Sequence, residues 1–416
     1  MKRKNCKEIS VQFIEKNNAV KKIQQISKNI ADLVVNPKEM SIINHIGRNH
    51  HMLQEFKVRN YKNFRDELVF SLKTAKNYEF NKDIIKNGII NDCLIIGENA
   101  SGKTNLGYAM LDIIWHLTDK ARKDIRWSPN LFNSDETVYF EYTFRFEESV
   151  VIYSYEKKQI DKVIRERLLI DGKKVIENDL SEMKVLLKGA ETLNLENYND
   201  TISLVKYVYA NTILDKLDKN CRIFQQFMQF VNGMLWFSST EGNRYVGFSN
   251  EQGNLFEAIA SRENAVEKLQ DFLQDLGIKY QLIVRDNGEG KNIYCKMGQK
   301  EVPLVSIISS GTRSLIFFFF WYMQVEKVSF LYVDEFDAFY HTDLSAAVVK
   351  KVMEIKGTQA VITSHNTDLL SSGLLRPDCI FKLEDNRIRP LSDLTDKALR
   401  EAHNLQKMYK AGAFND

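Results

Sequence analysis

The stretch GENASGKT, Gly97 to Thr104, constrains this chain more than any other. It fits G-x-x-x-x-G-K-[ST], a pattern whose glycines let backbone N–H groups curl round a phosphate at a helix N-terminus. It follows a short apolar run, "DCLII", and precedes apolar residues at Leu106, Met110, Ile113, Ile114 and Leu117, which have helical spacing. The pattern therefore sits between a buried strand and a helix, the context its chemistry requires. Gly97, Asn99, Ser101 and Gly102 are the expected cradle. Lys103 supplies a cation for the β- and γ-phosphates, and Thr104 offers a hydroxyl to Mg²⁺.

A phosphate loop needs a second strand that ends in acid. "KVSFLYVDEF" is apolar from Val328 to Val333 and then carries Asp334 and Glu335. Two carboxylates ending an apolar strand are costly unless a cation or partner satisfies them. Asp334 is expected in the Mg²⁺ shell, with Glu335 as the general base that takes a proton from the attacking water. The next apolar strand, "QAVITSH", ends at His365, positioned to contact the γ-phosphate or that water. Upstream, "SIISSGTRSL" places Ser309, Ser310 and Gly311 at the start of a very apolar helix, whose free N–H groups would face an anion. A single phosphate loop has no use for two such helix starts, so this one is expected to serve the nucleotide of a second copy.

With 416 residues, 44% hydrophobic and 11% aromatic, the chain can bury a core without disulfide or metal staples. The net charge of +3 excludes a histone-like, uniformly basic nucleic-acid binder. Five scattered cysteines (Cys6, Cys93, Cys221, Cys295, Cys379) form no C-x-x-C pair and read as inert thiols of a reduced compartment. The longest apolar run, "SLIFFFFWYMQV", has 12 residues, too few to span a bilayer, and the N-terminus lacks the apolar core of a signal peptide. The expectation is a cytoplasmic protein with no membrane contact.

Residues 1–50 hold ten Lys/Arg and four Asp/Glu. Val20, Ile23, Ile26, Ile30 and Leu33 recur at helical spacing until Pro37, giving a basic helix that either packs on its own domain or docks a partner or a second copy. His45, His50 and His51 lie on no recognisable metal scaffold and read as surface residues. Strand-like alternation follows in residues 51–175, with Asp171-Gly172 as a hairpin turn. Residues 176–300 read as a helical arm with one short hairpin at Asp286-Asn287-Gly288, and residues 301–416 return to strands separated by helices. The fold class expected is α/β, with a mixed or parallel sheet, an antiparallel β subdomain and an inserted helical region.

In combination, these motifs resemble those of the ATP-binding-cassette ATPases. "ISSGT" stands where their L-S-G-G-Q signature stands, "GENASGKT" is the Walker A, "FLYVDE" the Walker B and "ITSH" the switch histidine. Within that superfamily the chain looks like the SMC/RecF-type branch, more closely the bacterial AAA-family ATPases of phage-defence cassettes. "FKVRNYKNFRD" is similar to the branch's opening strand, "DEFDAFYH" to its Walker B extension with Asp337 in the D-loop, and "LQKMYKAGAFND" to its closing tyrosine–glycine motif. The resemblance covers about residues 53–415. It departs at Ser310 and Thr312 of the signature, and it identifies neither a Q-loop glutamine nor an adenine-stacking aromatic.

The resemblance implies ATP and Mg²⁺ as cofactors and a head-to-tail homodimer, each site drawing Ser309, Ser310 and Gly311 from the other copy. It also implies a sensor or switch controlling a separate effector, a nuclease or toxin, in anti-phage defence. The sequence shows no H-N-H pattern and leaves too little chain after His365 for a TOPRIM nuclease. The alternative is a DNA-repair clamp of the RecF kind, with nucleic acid bound by the dimer. A non-hydrolysing scaffold fits poorly with Glu335 and His365, and a transporter subunit fits poorly with the opening strand and signature.

Overall fold

The computed structural model describes residues 51–120, 127–179, 181–196, 198, 201–238, 244–246, 255–286, 288, 290–324, 328–338 and 340–415. The basic segment 1–50, with its expected helix and with His45 and His50, lies outside the described residues.

Strands β1 (His51–Arg59), β2 (Leu68–Ser71), β3 (Ile85–Lys86), β4 (Ile89–Ile90) and β5 (Asp92–Ile96) lead to helices α1 (Lys103–Met110) and α2 (Asp112–Leu117). A run of strands follows: β6 (Val138–Phe146), β7 (Ser149–Lys157), β8 (Val163–Ile170), β9 (Lys173–Asp179) and β10 (Met183–Val185). Helices α3 (Leu204–Asn211) and α4 (Lys219–Asn232) precede β11 (Met234–Ser238) and β12 (Arg244–Val246). Next come α5 (Leu255–Ala260) and α6 (Ala265–Asp275), then β13 (Leu282–Asp286), β14 (Lys291–Met297) and β15 (Lys300–Pro303). The last part contains α7 (Ser310–Tyr322), β16 (Phe330–Asp334), α8 (Thr342–Met353), β17 (Gln359–Ser364), β18 (Ile380–Glu384), β19 (Arg387–Pro390) and α9 (Leu405–Lys410).

Two seven-stranded sheets organise these elements. One is antiparallel, in the order β10-β9-β8-β7-β6-β1-β2. Its strands alternate: Phe140, Tyr142, Tyr153 and Tyr155 are fully buried, while Glu141, Ser154 and Glu156 face outward. The Asp171-Gly172 turn forms as expected, both residues with positive φ (49° and 76°). The other sheet, β12-β11-β16-β17-β5-β18-β19, is parallel from β11 to β18 and antiparallel at both edges. Its parallel strands are buried along their length, as sheets covered on both faces require.

The two sheets are joined at a defect. The register of β1 on β6 slips between Leu53, opposite Phe144, and Glu55, opposite Thr143, so that Gln54 is the extra residue of a bulge. The buried side chain of Gln359, first residue of β17, holds the backbone beside this bulge. Its Oε1 accepts from Leu53 N–H (2.8 Å), and its Nε2 donates to Leu53 O and Ile90 O (both 2.9 Å). A second tie is ionic. Asp112, at the start of α2 and two residues past the end of α1, is fully buried and accepts from Lys157 Nζ of β7 at 2.6 Å, from Tyr155 Oη at 2.9 Å and from Trp127 Nε1 at 3.1 Å. Burial pushes the Asp112 carboxyl up and the Lys157 ammonium down, while their contact opposes both shifts.

The expected division at 176–300 does not follow the observed elements. β9 and β10 carry the antiparallel sheet to Val185, and β11 is an interior strand of the parallel sheet, paired with β16. "MLWFS" is buried on both faces, so it lacks the alternation that marks a half-buried strand and resembles a short buried helix in sequence. His51 also departs from expectation. It lies half-buried in β1, its ring 5.2 Å from that of Phe146 in an edge contact.

Candidate functional site

The site forms at the carboxyl ends of three neighbouring parallel strands, β16, β17 and β5, where side chains leave the sheet together. From β5 the chain turns through Gly97, Glu98, Asn99 and Ala100 and enters α1 at Lys103, with Gly102 as N-cap at φ 104°. Only glycine fits at two of these positions. A Cβ on Gly97 would stand 2.6 Å from Ser101 Oγ and 2.7 Å from Leu383 O; one on Gly102 would stand 2.5 Å from Asn63 Nδ2. Glu98, Asn99 and Ala100 are exposed. The Ser101 hydroxyl is buried without a hydrogen-bond partner, as suits a cradle meant for an external acceptor.

Lys103 is 3% exposed, and its ammonium donates to Gly97 O (2.9 Å) and Glu98 O (3.0 Å) within the loop. Burial lowers its pKa, against the pull of Glu335, Asp334 and Asp337. Glu335 stands 3.8 Å from Lys103 Nζ. The helix is seated by Gly107, whose absent Cβ would fall 2.6 Å from the Tyr332 ring; Tyr332 Oη in turn donates to Lys103 O at 2.7 Å.

The two residues expected to share a metal meet directly. Thr104 Oγ1 donates to Asp334 Oδ2 at 2.8 Å. Asp334 is fully buried, and this burial pushes its carboxyl up to about 6, opposed by the hydroxyls of Thr104 and Thr363. A carboxylate held in so dehydrated a place fits a dication, which would lower the cost of its charge. Among the described residues no cluster of three or more His, Cys, Asp or Glu could hold a metal alone.

Thr363, in β17, is a site residue to which the sequence reading assigned no role. Its hydroxyl donates to Asp334 Oδ1 (2.8 Å) and accepts from Glu335 N–H (2.9 Å), aligning both acids. Glu335 takes φ 44°, a left-handed conformation costing roughly 1 kcal/mol in a non-glycine residue. Asn63 was also missed. It receives Asn105 Nδ2 at 2.6 Å and donates to Asn386 Oδ1 at 2.8 Å, linking the opening strand's turn to α1 and to the β18–β19 turn. Thr363 carries no local sequence signal; Asn63 lies in the opening stretch "FKVRNYKNFRD", but its partners Asn105 and Asn386 are remote in the chain.

His365 follows the last residue of β17 and is exposed. Asp337, the expected D-loop residue, is 6% exposed and accepts from Ser364 Oγ at 2.6 Å, while its Oδ1 is buried without a partner. Burial raises its pKa. Ser309 is the N-cap of α7: its Oγ accepts from Thr312 N–H at 3.1 Å, and Ser309 and Ser310 are exposed. Both serines are thus presented on the surface, on the helix whose other faces fill the core with Leu315, Ile316, Phe319 and Phe320.

Residues 230–371 match the protein-family model described as AAA domain, putative AbiEii toxin, Type IV TA system. The match spans β11, α7, Asp334, Glu335 and β17. No curated protein matches the sequence. Among solved structures, the SMC head bound to the C-winged helix domain of ScpA is similar at a TM-score of 0.41 and 14% identity, over 81% of this chain and 96% of that one. The SMC head domain from Thermotoga maritima aligns at 0.40 and 13%, covering 81% and 98%. An SMC head with an extended coiled coil, bound to the C-terminal domain of ScpA derived from Pyrococcus furiosus, aligns at 0.40 and 13%, covering 82% and 95%. No helix among the described residues is long and apolar enough to cross a membrane.

Proposed function

We propose that this chain is an ATP-hydrolysing switch of the SMC/RecF-like cassette type, closing head-to-tail with a second copy around ATP and controlling a separate effector in anti-phage defence. One observation carries the nucleotide reading: the Thr104–Asp334 contact beside a glycine loop whose lysine lies 3.8 Å from the adjacent Glu335. In this reading Lys103 leaves its loop carbonyls for the β- and γ-phosphates. Thr104 and Asp334 would hold Mg²⁺, which when bound would supply positive charge to the phosphate oxygens. Glu335 takes a proton from water as the water's oxygen attacks the γ-phosphorus, and the bond to the bridging oxygen breaks to release ADP. His365 holds the γ-phosphate. Ser309, Ser310 and Gly311 of one copy complete the site of the other, so ATP favours the closed pair and hydrolysis releases it. The family model matched over residues 230–371 is described as a putative toxin of a type IV toxin–antitoxin system, which supports a link to a toxin; the anti-phage role is proposed from the motif resemblance.

The test is a solution mass measured with ATP and Mg²⁺, alongside phosphate release. Wild type should turn over ATP, whereas Glu335→Gln should bind ATP, hydrolyse it at least about a hundredfold more slowly and double in mass. A chain that neither releases phosphate nor changes mass refutes the proposal. Salt-sensitive binding of duplex DNA by the doubled species would instead favour a clamp.

A further inference from the structure

The C-terminal segment makes contacts for which the reading above has no use. It is pinned at both ends by burial, Leu405 at 0% and Phe414 at 1% exposure. α9 ends on Gly412 (φ 77°), where Gly412 N–H donates to Tyr409 O and Ala413 N–H to Met408 O, both at 3.0 Å. From α9, Gln406 Nε2 and Lys410 Nζ (3.5 Å) both donate to Asp368 Oδ1. Thr342 Oγ1, at the start of α8, donates to the other oxygen of that carboxylate at 3.4 Å.

Asp368 stands three residues beyond His365 and is wired back past it. Asp368 N–H donates to Asn366 Oδ1 (2.9 Å), Asn366 N–H donates to Ser364 Oγ (2.8 Å), and Ser364 Oγ donates to the buried Asp337 (2.6 Å). The exposed His365 is therefore bracketed by Ser364 and Asn366, both members of a series of hydrogen bonds that runs from Asp337 to the tail. The far end of the tail is fixed beside the phosphate loop. Lys382 Nζ donates to Asn415 Oδ1 (3.0 Å) and Phe414 O (3.4 Å), and Lys382 is in register with Ile96, the residue before Gly97.

We propose that α9 is a clasp for the histidine turn, and that Asp368 is a positioning residue that sets His365 against the nucleotide. This rests on the ATPase reading. Exposed ion pairs contribute little to stability, so Asp368 acts on orientation rather than on the fold. Orientation is where small displacements are expensive: a shift near 1 Å at a reacting group lowers turnover by up to roughly a hundredfold.

The experiment compares wild type, Asp368→Ala, the double variant Gln406→Ala with Lys410→Ala, and Asp368→Asn. Each is assayed for kcat and KM for ATP, thermal midpoint, and the imidazole resonances of His365 by NMR, assigned with His365→Gln. The clasp requires Asp368→Ala and the tail double variant each to lower kcat about tenfold while KM stays within about twofold and the midpoint holds. Both must shift the His365 resonances, and Asp368→Asn, which keeps an acceptor oxygen for the tail, must recover most of the rate. If either variant leaves kcat and the His365 resonances at wild-type values, or if kcat falls only together with the midpoint, the clasp is overturned and the ATPase reading stands. If wild type itself fails to hydrolyse ATP, that reading falls, and the His365 resonances in the absence of nucleotide decide the clasp by themselves.

Discussion

Replacing Thr363 by valine removes one oxygen from the site and almost nothing else. Valine has the same shape, so the fully buried position gains no cavity. Two contacts disappear: the donation to Asp334 Oδ1 at 2.8 Å and the acceptance from Glu335 N–H at 2.9 Å. The first involves a charged acceptor, worth about 1.5–3 kcal/mol, and the second a backbone donor worth about 1 kcal/mol, so the expected loss is about 2.5–4 kcal/mol. The pH dependence distinguishes this cause from poor packing. Asp334 already has its carboxyl raised to about 6 in the fold, so folding disfavours its charged form, and its contribution to stability falls as pH rises from the ordinary carboxylate range through about 6. The Thr363 hydroxyl holds that value down, and without it the carboxyl rises further and the fall extends to higher pH. Urea unfolding of both proteins at about pH 4.5 and about pH 8 should therefore show a larger valine penalty at the higher pH, and Thr363→Ser should remove most of it. An equal penalty at both values, or a loss below about 0.5 kcal/mol, would refute the assignment of Thr363 as the residue aligning the acids.

Gln359→Leu should cost at least about 3 kcal/mol in the same unfolding assay, because Leu53 N–H, Leu53 O and Ile90 O all lose their buried partner. A near-neutral result would mean that the bulge in β1 finds other partners. Gly107→Ala should destabilise by about 1–3 kcal/mol, since its Cβ meets the Tyr332 ring at 2.6 Å and Trp236 Nε1 at 3.0 Å; this outweighs the gain in helix propensity of about 1 kcal/mol. Stabilisation by alanine would show that α1 can lift from β16 freely. Ser309→Arg should stop turnover while ATP is still bound, and Lys103→Ala should abolish binding. An equal mixture of the two should recover about a quarter of wild-type phosphate release, since half the dimers are mixed and each holds one intact composite site. No recovery at any mixing ratio would count against sites shared between copies.

What the sequence by itself determined was local. The phosphate loop, the acids at the end of β16, the serine-capped α7 and the Asp171-Gly172 turn are all written in consecutive residues whose chemistry has few other uses. The α/β class was legible for the same reason: alternation marks the half-buried β6 and β7, and unbroken apolar runs mark the doubly covered β5, β16 and β17.

Only the tertiary structure decided the rest. β11 pairs with β16 in the parallel sheet although nothing in "MLWFS" separates strand from buried helix. Thr363 becomes the brace between Asp334 and Glu335 because parallel β17 lies beside β16, and a threonine in a strand carries no mark of what its neighbour presents. Asn63 reaches α1 across 42 residues, and Gln359 holds the backbone beside a bulge 306 residues away. Such contacts are set by which strands become neighbours, a choice made by the burial of the whole sheet and not by any short stretch of chain.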